Sequence, residues 1–480
     1  MGLAFVPLYI KYLGVEAYGL IGLFGVLSAC LTVLDMGMTP TLGREMARFT
    51  GGGRSLESIR NVLRSIEWIA LCVVIFISGG VYVSANWIAS SWLQAQTLPV
   101  NVVAQAVVIM GVVIALRFVE GIYRSAIVGL QRQVLFNAVN GMLACLRWAG
   151  AVGVLAWLSN TLEAFFIWQG FVSLVSAITF ALVTYGILPY TEQRARFSMG
   201  AVREILGFAS GMAGIAILSV ILMQLDKVLL SHLLTLSEFG YYTLAATVAG
   251  SIFFLVGPIT QAIYPRLCEL HVQKKEDSLA LEFHKGAQLV SVLAGSVAIV
   301  LIFFSKTFLL LWSQNTELAE QVAPLLSILM LGNLLNGLMW VPYQTQLAYG
   351  WTSLTVLINI AAVLLIVPAI FWVAPRYGGI GVAWAWVGLN AAYVLVGIHF
   401  MYRRILTQEK WRWYGEDILI PLGSTLIAML MLKWAWPASN GPESQAVLLL
   451  VAAGSAGSVA LLSANKIRSK ALRFLTHFGT

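Results

Sequence analysis

The sequence predicts an all-α integral membrane protein with about fourteen transmembrane helices. Of its 480 residues, 59% are hydrophobic and only 10% are charged, whereas soluble domains carry about 25% charged residues. Apolar runs of about 20 residues, long enough to cross a hydrocarbon core of roughly 30 Å, recur along the whole chain. No stretch is left over for a separate soluble domain.

Each predicted helix is an apolar segment bounded by polar or turn-forming residues. The fourteen segments cover residues 1–10, 18–42, 66–86, 101–123, 137–158, 162–188, 206–231, 239–264, 287–312, 320–349, 353–374, 378–402, 417–436 and 444–464. The first is too short to span a bilayer by itself. The others are long enough to cross it.

Basic residues alternate between the two sides of these helices. Of the 29 Lys and Arg residues, 22 lie in loops that follow even-numbered helices or in the C-terminal tail. The opposite loops hold only Lys11, Arg376 and Lys433. Because basic loops stay in the cytoplasm, both termini are predicted to be cytoplasmic. The net charge of +8 is therefore explained by the membrane topology, since most basic residues lie in the predicted cytoplasmic loops. These loops also suit contact with anionic membrane lipids. The charge gives no indication of nucleic-acid binding.

An internal repeat relates the two halves of the chain. The stretch LGVEAYGL resembles TLSEFGYY, which aligns Gly19 with Gly240. Further along, VGLQRQVLFN resembles AYGWTSLTVLIN, which aligns Gly129 with Gly350 at the same offset in residue number. Two anchors at one offset predict two pseudo-symmetric six-helix lobes of like orientation, related by an axis along the membrane normal.

The repeat sets the predicted domain boundaries. They are an N-lobe over residues 1–188, a cytoplasmic linker over 189–205, a C-lobe over 206–403, two appended helices over 404–465 and a basic cytoplasmic tail over 466–480. Predicted helix 7 begins well ahead of Gly240, whereas Met1 lies only a short way before Gly19. Since a transmembrane helix needs about 20 residues, we expect the first helix to be truncated by about 15 residues.

Several longer stretches together resemble one membrane-transporter family. They are PLYIKYLGVEAYGLIGLF, LDMGMTPTLGREMAR, QLDKVLLSHLLTLSEFGYYTLA, LAYG and PRYGGIGVAWAW. Their pattern is similar to that of Wzx-type lipid-linked oligosaccharide flippases of the multidrug/oligosaccharidyl-lipid/polysaccharide exporter superfamily, and the resemblance spans nearly the full chain. It implies an alternating-access transporter that moves an undecaprenyl-diphosphate-linked oligosaccharide across the bacterial inner membrane, for O-antigen or exopolysaccharide synthesis. A polysaccharide polymerase and chain-length machinery are the partners that it implies.

Motifs for membrane catalysis are missing from the sequence. It contains no GxxxxGK[ST] phosphate loop, no HExxH, no Cys/His metal-ligand cluster and no long periplasmic loop. We therefore expect no enzyme activity, no metal and no cofactor, and H⁺ or Na⁺ as the coupling ion. The five histidines are interpreted as solvated or interfacial residues. The four cysteines are interpreted as packing residues without a disulfide.

Charged residues inside the apolar segments are the main indication of a site. Each costs about 2.5–3.5 kcal/mol unless it faces a partner or water. Asp35 continues a polar stripe along predicted helix 2. Arg147 lies near the middle of predicted helix 5 and shares a face with Asn140. Asn333, Asn336 and Trp340 form a comparable stripe on predicted helix 10, for which interhelical hydrogen bonding is the alternative.

Two further groups of charges leave a structural and a functional interpretation open. Arg117, Glu120 and Arg124 are spaced as an ion-pair ladder on predicted helix 4, with substrate contact as the alternative. Asp226 and Lys227 are about 100° apart on a helix, so we expect them to face different environments.

The repeat favours a cavity for some of these charges. At the offset of the repeat, Asp35, Arg117, Arg147, Asp226 and Lys227 all correspond to apolar residues in the other half. A lobe can therefore be built without them, which favours a water-filled cavity over asymmetric ion pairing.

Each side chain that is predicted to line the cavity has a role that follows from its chemical type. Arginine offers a permanently charged donor fork for phosphate oxygens, so Arg147 is the predicted diphosphate ligand and Arg117 a second candidate. Asp35 or Asp226 would hold the arginine when the cavity is empty, or carry the coupling ion. Asparagine amides and an indole ring suit sugar hydroxyls, which gives that role to Asn140 and to the stripe on helix 10.

Two other functions remain open at this point. A cation-coupled drug antiporter of the same superfamily would share the fold, although an arginine at mid-membrane disfavours cationic cargo. A membrane glycan polymerase or ligase is the alternative among enzymes, although short periplasmic loops leave it little catalytic surface.

Overall fold

The computed structural model describes residues 2–35, 37–191, 195–351, 353–436 and 441–468. Over these residues the chain is almost entirely helical, and an isolated bridge between Gln94 and Thr235 is the one β-type pairing among them. The all-α prediction is confirmed.

The first half of the chain forms nine helices, counted over the described residues. They are α1 (Gly2–Leu13), α2 (Val15–Leu34), α3 (Met38–Thr50), α4 (Leu56–Trp87), α5 (Val100–Gly129), α6 (Gln133–Gly153), α7 (Leu162–Ile187), α8 (Met199–Leu233) and α9 (Leu236–Gly250). Short π-helical turns extend α4 to Trp92 and α6 to Leu158. Apolar composition drives these helices, because backbone polar groups inside a bilayer must be satisfied within the segment.

The second half continues in the same manner. Its helices are α10 (Phe253–Val272), α11 (Glu276–Val290), α12 (Ser296–Ser313), α13 (Thr316–Leu338), α14 (Trp340–Ala348), α15 (Ser353–Ala392), α16 (Ile398–Met401), α17 (Lys410–Arg412), α18 (Ile420–Ala435) and α19 (Pro442–Ser463). Single π-helical segments join α11 to α12, α15 to α16 and α17 to α18. A kink at Gly378 (φ 56°) interrupts α15 between predicted helices 11 and 12.

Ten helical segments among the described residues are long and apolar enough to cross a membrane. The chain is therefore a multi-pass membrane protein. One of these segments, Ser353–Met401, has 49 residues and contains two of the predicted helices on either side of the kink. The count of fourteen stays a prediction.

Residue contacts divide the chain into two compact units, Met1–Gly240 and Tyr241–Thr480. In the first unit, α5 packs against α3, α4 and α7, and α2 packs against α8. In the second unit, α12 packs against α13 and α19, and α13 packs against α15. The contacts thus group α8 with the first unit, whereas the sequence repeat assigns it to the second half.

Predicted helix 2, over residues 18–42, is wrong as a single element. The chain leaves the helix after Leu34 and begins α3 at Met38. Gly37 occupies a left-handed conformation (φ 73°), which glycine adopts without the steric cost that a Cβ would bring. The basic residues Arg44 and Arg48 lie on α3, beyond the break.

Candidate functional site

Arg147 and Glu120 form a largely buried ion pair between α6 and α5. Arg147 Nη2 donates to Glu120 Oε2 at 2.8 Å, and the two side chains are 13% and 5% exposed. The same nitrogen lies 3.3 Å from Ser176 Oγ on α7. Three helices therefore meet at one guanidinium, near the middle of the α6 segment.

Glu120 has a second basic neighbour. Arg124 Nη1 lies 3.6 Å from Glu120 Oε1 on the same helix, and its guanidinium also sits over the Phe136 ring. The side chain of Arg124 is 40% exposed, so this outer pair is solvent-screened and weaker than the inner one. The predicted ladder therefore exists between Glu120 and Arg124, with Arg147 added from another helix.

Arg117 lies outside that ladder. Its Nη2 donates to Gln169 Oε1 on α7 at 3.2 Å, and its guanidinium carbon stands 4.5 Å from the centre of the Phe24 ring on α2. In the part of the chain that the structure describes, no carboxylate forms an ion pair with Arg117. The direct contacts of this guanidinium are therefore with neutral groups.

We call Arg117, Arg124, Arg147 and Glu120 the arginine cluster. Three positive charges and one negative charge give it a net charge of about +2. A cluster of this sign inside apolar helices favours an anion, because an uncompensated charge in a low-dielectric setting is costly.

Several buried polar atoms of the cluster and its neighbours have no hydrogen-bond partner among the described residues. They are Nε of Arg117, Nε of Arg147, Nε2 of Gln169 and Oγ of Ser173. Gln169, Ser173 and Ser176 lie on one face of α7, at spacings of four and three positions. An unsatisfied buried donor costs about 1–3 kcal/mol, and such groups call for a functional explanation. Several donors with spare capacity around a net positive charge suit an oxyanion.

The other candidates of the first unit lie apart from this cluster in their contacts. Asn140 is on α6 and partly buried, and within the described part of the chain it has no hydrogen bond to the cluster. Asp35 accepts from the Thr39 backbone N–H at 3.1 Å and from the Thr39 hydroxyl at 2.5 Å. Its carboxylate thus satisfies a backbone N–H in the first turn of α3, which is a structural role for a residue predicted to line a cavity.

Asp226 and Lys227 were predicted to face different environments, and this prediction is wrong. Lys227 Nζ lies 3.3 Å from Asp226 Oδ1 and donates to the carbonyl of Met223 at 2.9 Å. The lysine side chain is long and flexible enough to fold back along α8, so the angle between adjacent positions does not keep the charges apart.

The polar residues predicted on helix 10 form a closed network in the second unit. Asn333 Oδ1 accepts from Trp386 Nε1 at 2.9 Å, and Asn336 Nδ2 donates to Asn390 Oδ1 at 2.8 Å. Trp340 Nε1 donates to Asn336 Oδ1 at 3.1 Å, and its ring stacks on Phe253. These groups join α13, α14 and α15, as the interhelical alternative describes.

A second buried polar cluster contradicts the interpretation of all histidines as solvated or interfacial. His284 is only 2% exposed. Its Nδ1 contacts Asp417 Oδ2, and its Nε2 lies 2.9 Å from Glu409 Oε2. Gln288 Nε2 donates to the other oxygen of Asp417 at 3.0 Å. The cluster ties α11 to the segment that leads into α18.

Sequence reasoning missed the α7 residues of the site. Gln169, Ser173 and Ser176 are small or neutral polar residues, each at most 1% exposed, and no charge marked them out in an apolar run. The sequence did offer one indication of these residues, which is that they share one face of a helix. Polar residues at helical spacing in a transmembrane segment indicate a partner on a neighbouring helix.

Residues 11–316 match the polysaccharide biosynthesis protein family. Among curated relatives, a protein of Shigella flexneri assigned as an O-antigen transporter is 20% identical over 387 residues, which cover 78% of this chain and 87% of that protein. A Salmonella typhi protein with the same assignment is 29% identical over 140 residues, which cover 25% of this chain and 32% of that protein.

Solved structures of two transporter groups share the fold. The lipid II flippase MurJ in an inward closed conformation superposes with a TM-score of 0.70 at 13% identity, over 99% of this chain and 97% of MurJ. An inward-facing multidrug MATE transporter superposes with a TM-score of 0.67 at 15% identity, over 85% of this chain and 94% of that one. At such identities the likeness concerns the fold alone. The chain belongs to the polysaccharide biosynthesis protein family, whose model matches well over half of its length.

Proposed function

We propose that the protein is an alternating-access flippase that moves an undecaprenyl-diphosphate-linked oligosaccharide from the cytoplasmic to the periplasmic leaflet of the bacterial inner membrane. The observation that carries this proposal is the arginine cluster on α5 and α6. Three arginines with one buried carboxylate are a costly arrangement inside apolar helices. An anionic cargo gives the excess positive charge a use.

The diphosphate is the part of the cargo that bare hydrocarbon rejects most strongly. A guanidinium presents several N–H donors in a plane and stays charged at every physiological pH, so it matches phosphate oxygens. Arg147 is the central ligand in this proposal, and Arg117 supplies a second charge without a carboxylate partner among the described residues.

Glu120 acts as the resident counter-ion of the site. Its carboxylate holds Arg147 at 2.8 Å when no cargo is bound, and the diphosphate takes its place when cargo enters. In this proposal Arg147 binds the Glu120 carboxylate more weakly than the diphosphate, so the diphosphate can displace it. The carboxylate returns when the cargo leaves, and cargo binding is therefore reversible, as transport requires. Glu120 thereby takes the holding role that sequence reasoning assigned to Asp35 or Asp226.

The oligosaccharide and the coupling ion involve other residues. Asn140 forms no hydrogen bond with its side chain among the described residues and remains a candidate for sugar contact, whereas Asn333, Asn336 and Trp340 use theirs within the helix network. Asp226 remains the candidate for H⁺ or Na⁺ coupling, because it is a carboxylate within an apolar helix and its side chain is 24% exposed.

The named relatives agree with this class of cargo. Two are assigned as O-antigen transporters and one solved structure is a lipid II flippase. We extend that class to this chain, with a polymerase and chain-length machinery acting on the delivered units. The distribution of basic residues favours a cytoplasmic location for both termini.

The experiment is deletion of the gene in its own host, with complementation by the wild-type chain and by Arg147→Ala. We expect surface glycan to disappear on deletion, to return with the wild-type chain and to stay absent with Arg147→Ala at equal membrane abundance. Normal surface glycan in the deletion strain, together with new sensitivity to cationic drugs, would overturn the proposal in favour of a drug antiporter.

A further inference from the structure

Three basic residues between the end of α16 and the beginning of α17 have no carboxylate partner. In the ranges that the structure describes, Arg403, Arg404 and Lys410 form no ion pair. The adjacent Arg412 does form one, since its Nη1 lies 3.0 Å from Glu409 Oε2. This stretch therefore carries positive charge that no direct contact with a carboxylate offsets, and its two exposed arginines are open to an external anion.

Aromatic rings hold two of these cations in place. The guanidinium carbon of Arg403 lies 5.7 Å from the centre of the Phe400 ring, and Lys410 Nζ lies 4.9 Å from the centre of the Trp411 ring. A cation–π contact orients a basic side chain without an acceptor atom. Within the described part of the chain the Arg403 side chain makes no hydrogen bond, so its N–H donors are available to a ligand.

His399 brings the same two cations to one place. Lys410 Nζ lies 3.0 Å from His399 Nδ1, and both Lys410 and Arg403 act electrostatically on this ring. Because an ammonium group can only donate, Nδ1 accepts this hydrogen bond and the imidazole is neutral, with its N–H at Nε2. The Tyr414 hydroxyl also joins the two segments by donating to the Val394 carbonyl at 2.6 Å. We call Arg403, Lys410 and His399 the interfacial basic site.

Exposed apolar side chains continue from this site along the helix. Phe400 adjoins His399, and Leu395 lies about one helical turn earlier. Their exposed fractions are 45% and 65%, and Trp411 is 76% exposed. In a multi-pass membrane protein such apolar surface faces acyl chains, and tryptophan is enriched at the level of the lipid headgroups. The surface therefore combines a cationic end with an apolar end, which matches the two parts of an anionic phospholipid.

The predicted topology places this surface beside an anionic leaflet. The loop that contains Arg403 and Lys410 follows predicted helix 12, so it is predicted to be cytoplasmic. The cytoplasmic leaflet carries a negative surface potential because of its anionic lipids, and basic residues close to it bind their headgroups. The neighbouring apolar surface favours a lipid over a soluble polyanion, because the acyl chains of a lipid cover that surface.

We propose that the interfacial basic site binds the phosphate of one anionic phospholipid, whose acyl chain lies along Phe400 and Leu395. Arg403 and Lys410 supply charge-assisted hydrogen bonds to the phosphate oxygens, and His399 supplies the N–H at Nε2. The site belongs to the second compact unit, whereas the arginine cluster belongs to the first. It is independent of the proposed cargo, and Arg147→Ala should therefore retain the phospholipid.

The test measures the binding of phosphatidylglycerol to the purified protein in detergent, with native mass spectrometry to count the lipid that stays bound. A basic residue near an anionic headgroup contributes roughly 5-fold in affinity, so Arg403→Gln together with Lys410→Gln should weaken binding on the order of 25-fold. The matched control is Arg376→Gln together with Lys433→Gln. It removes one arginine and one lysine that are also stacked on aromatic rings, at the predicted opposite face, and should leave binding unchanged.

Further variants and ligands separate charge, lipid and fold. Arg403→Lys together with Lys410→Arg keeps both charges and should retain the lipid. If the double glutamine variant does not fold, each single variant should still weaken binding roughly 5-fold. Phosphatidylcholine, which has no net charge, and glycerol 3-phosphate, which has no acyl chain, should not displace the lipid. Displacement by either, an equal loss in the control variant, a loss in the charge-keeping variant or an unchanged dissociation constant in the glutamine variants would overturn the inference.

Discussion

Arg147 on α6 is held by Glu120 on α5 at 2.8 Å, in a pair that is almost wholly removed from solvent. The pair does not neutralise its surroundings, because Arg117 and Arg124 bring further positive charge to the same side of α5. A single buried carboxylate thus balances only part of the local charge. This imbalance is the physical basis of the proposed diphosphate site.

Replacement of the counter-ion tests its role. Glu120→Gln keeps the size of the side chain but leaves the Arg147 charge uncompensated, and removal of one partner of a buried pair costs on the order of 3–5 kcal/mol. We expect a lower midpoint of thermal unfolding in detergent. We also expect added undecaprenyl diphosphate to raise that midpoint more in the variant than in the wild type, because the ligand supplies the missing negative charge. Equal ligand-induced shifts in both proteins would contradict the counter-ion role.

Variants of Asp35 distinguish a structural role from a coupling role. The carboxylate accepts from the Thr39 N–H and hydroxyl, and an asparagine side chain keeps an oxygen that can accept these bonds. Asp35→Asn should therefore leave export and its dependence on pH and sodium unchanged. Asp35→Ala should lower the free energy of unfolding by about 1 kcal/mol. A change in the pH or sodium dependence of export by Asp35→Asn would assign the coupling ion to Asp35 after all.

Two ion pairs of the second unit should differ strongly in stability. His284 is buried between Asp417 and Glu409, so His284→Ala removes a partner from two carboxylates, one of them fully buried, and should cost about 3–5 kcal/mol. Lys306 pairs with Glu320 at 3.0 Å, but the side chains are 55% and 56% exposed. Lys306→Ala should therefore cost about 0–1 kcal/mol. Titration with sodium dodecyl sulfate in mixed micelles compares the two, and similar losses would refute the structural role of the His284 cluster.

The orientation of the chain follows from its basic loops and can be checked by labelling. Cysteine at Gly51 should react with a membrane-impermeant maleimide only after the cells are opened, whereas cysteine at Gln96 should react in intact cells. Gly51 is preferable to Gly52, whose φ of +76° disfavours a side chain. A C-terminal tag should be inaccessible from outside. Labelling of the tag in intact cells would reject the predicted topology.

The sequence predicted the membrane class and the location of most helices, because apolar length and flanking charge are properties of the chain alone. The break between Leu34 and Met38 was missed, although Gly37 and Pro40 are residues of the kind that interrupt helices. A continuous apolar pattern outweighed these signals. The adjacent pair Asp226 and Lys227 was misjudged for a related reason, since helix angles fix Cβ directions and not the ends of long side chains.

The charges of the site could be predicted, but their partners could not. Arg147 stood out as a charge in an apolar run, yet Glu120 is 27 residues away and Ser176 is 29. Likewise, Asn333 accepts a hydrogen bond from Trp386, which lies 53 residues away in the sequence. Such pairings depend on how helices pack, and helical periodicity within one segment contains no information about a neighbouring segment.

Binding of a lipid diphosphate to purified protein tests the central claim most directly. The dissociation constant for undecaprenyl diphosphate would be measured for the wild type, Arg147→Ala and Arg147→Lys, with Arg376→Ala as the control for an exposed arginine that stacks on Trp372. A hydrogen bond to a charged group contributes about 1.5–3 kcal/mol, so Arg147→Ala should weaken binding by roughly 10- to 100-fold. Arg147→Lys should weaken it less, because a lysine keeps the charge and loses the planar fork. An unchanged dissociation constant in folded Arg147→Ala would contradict the account.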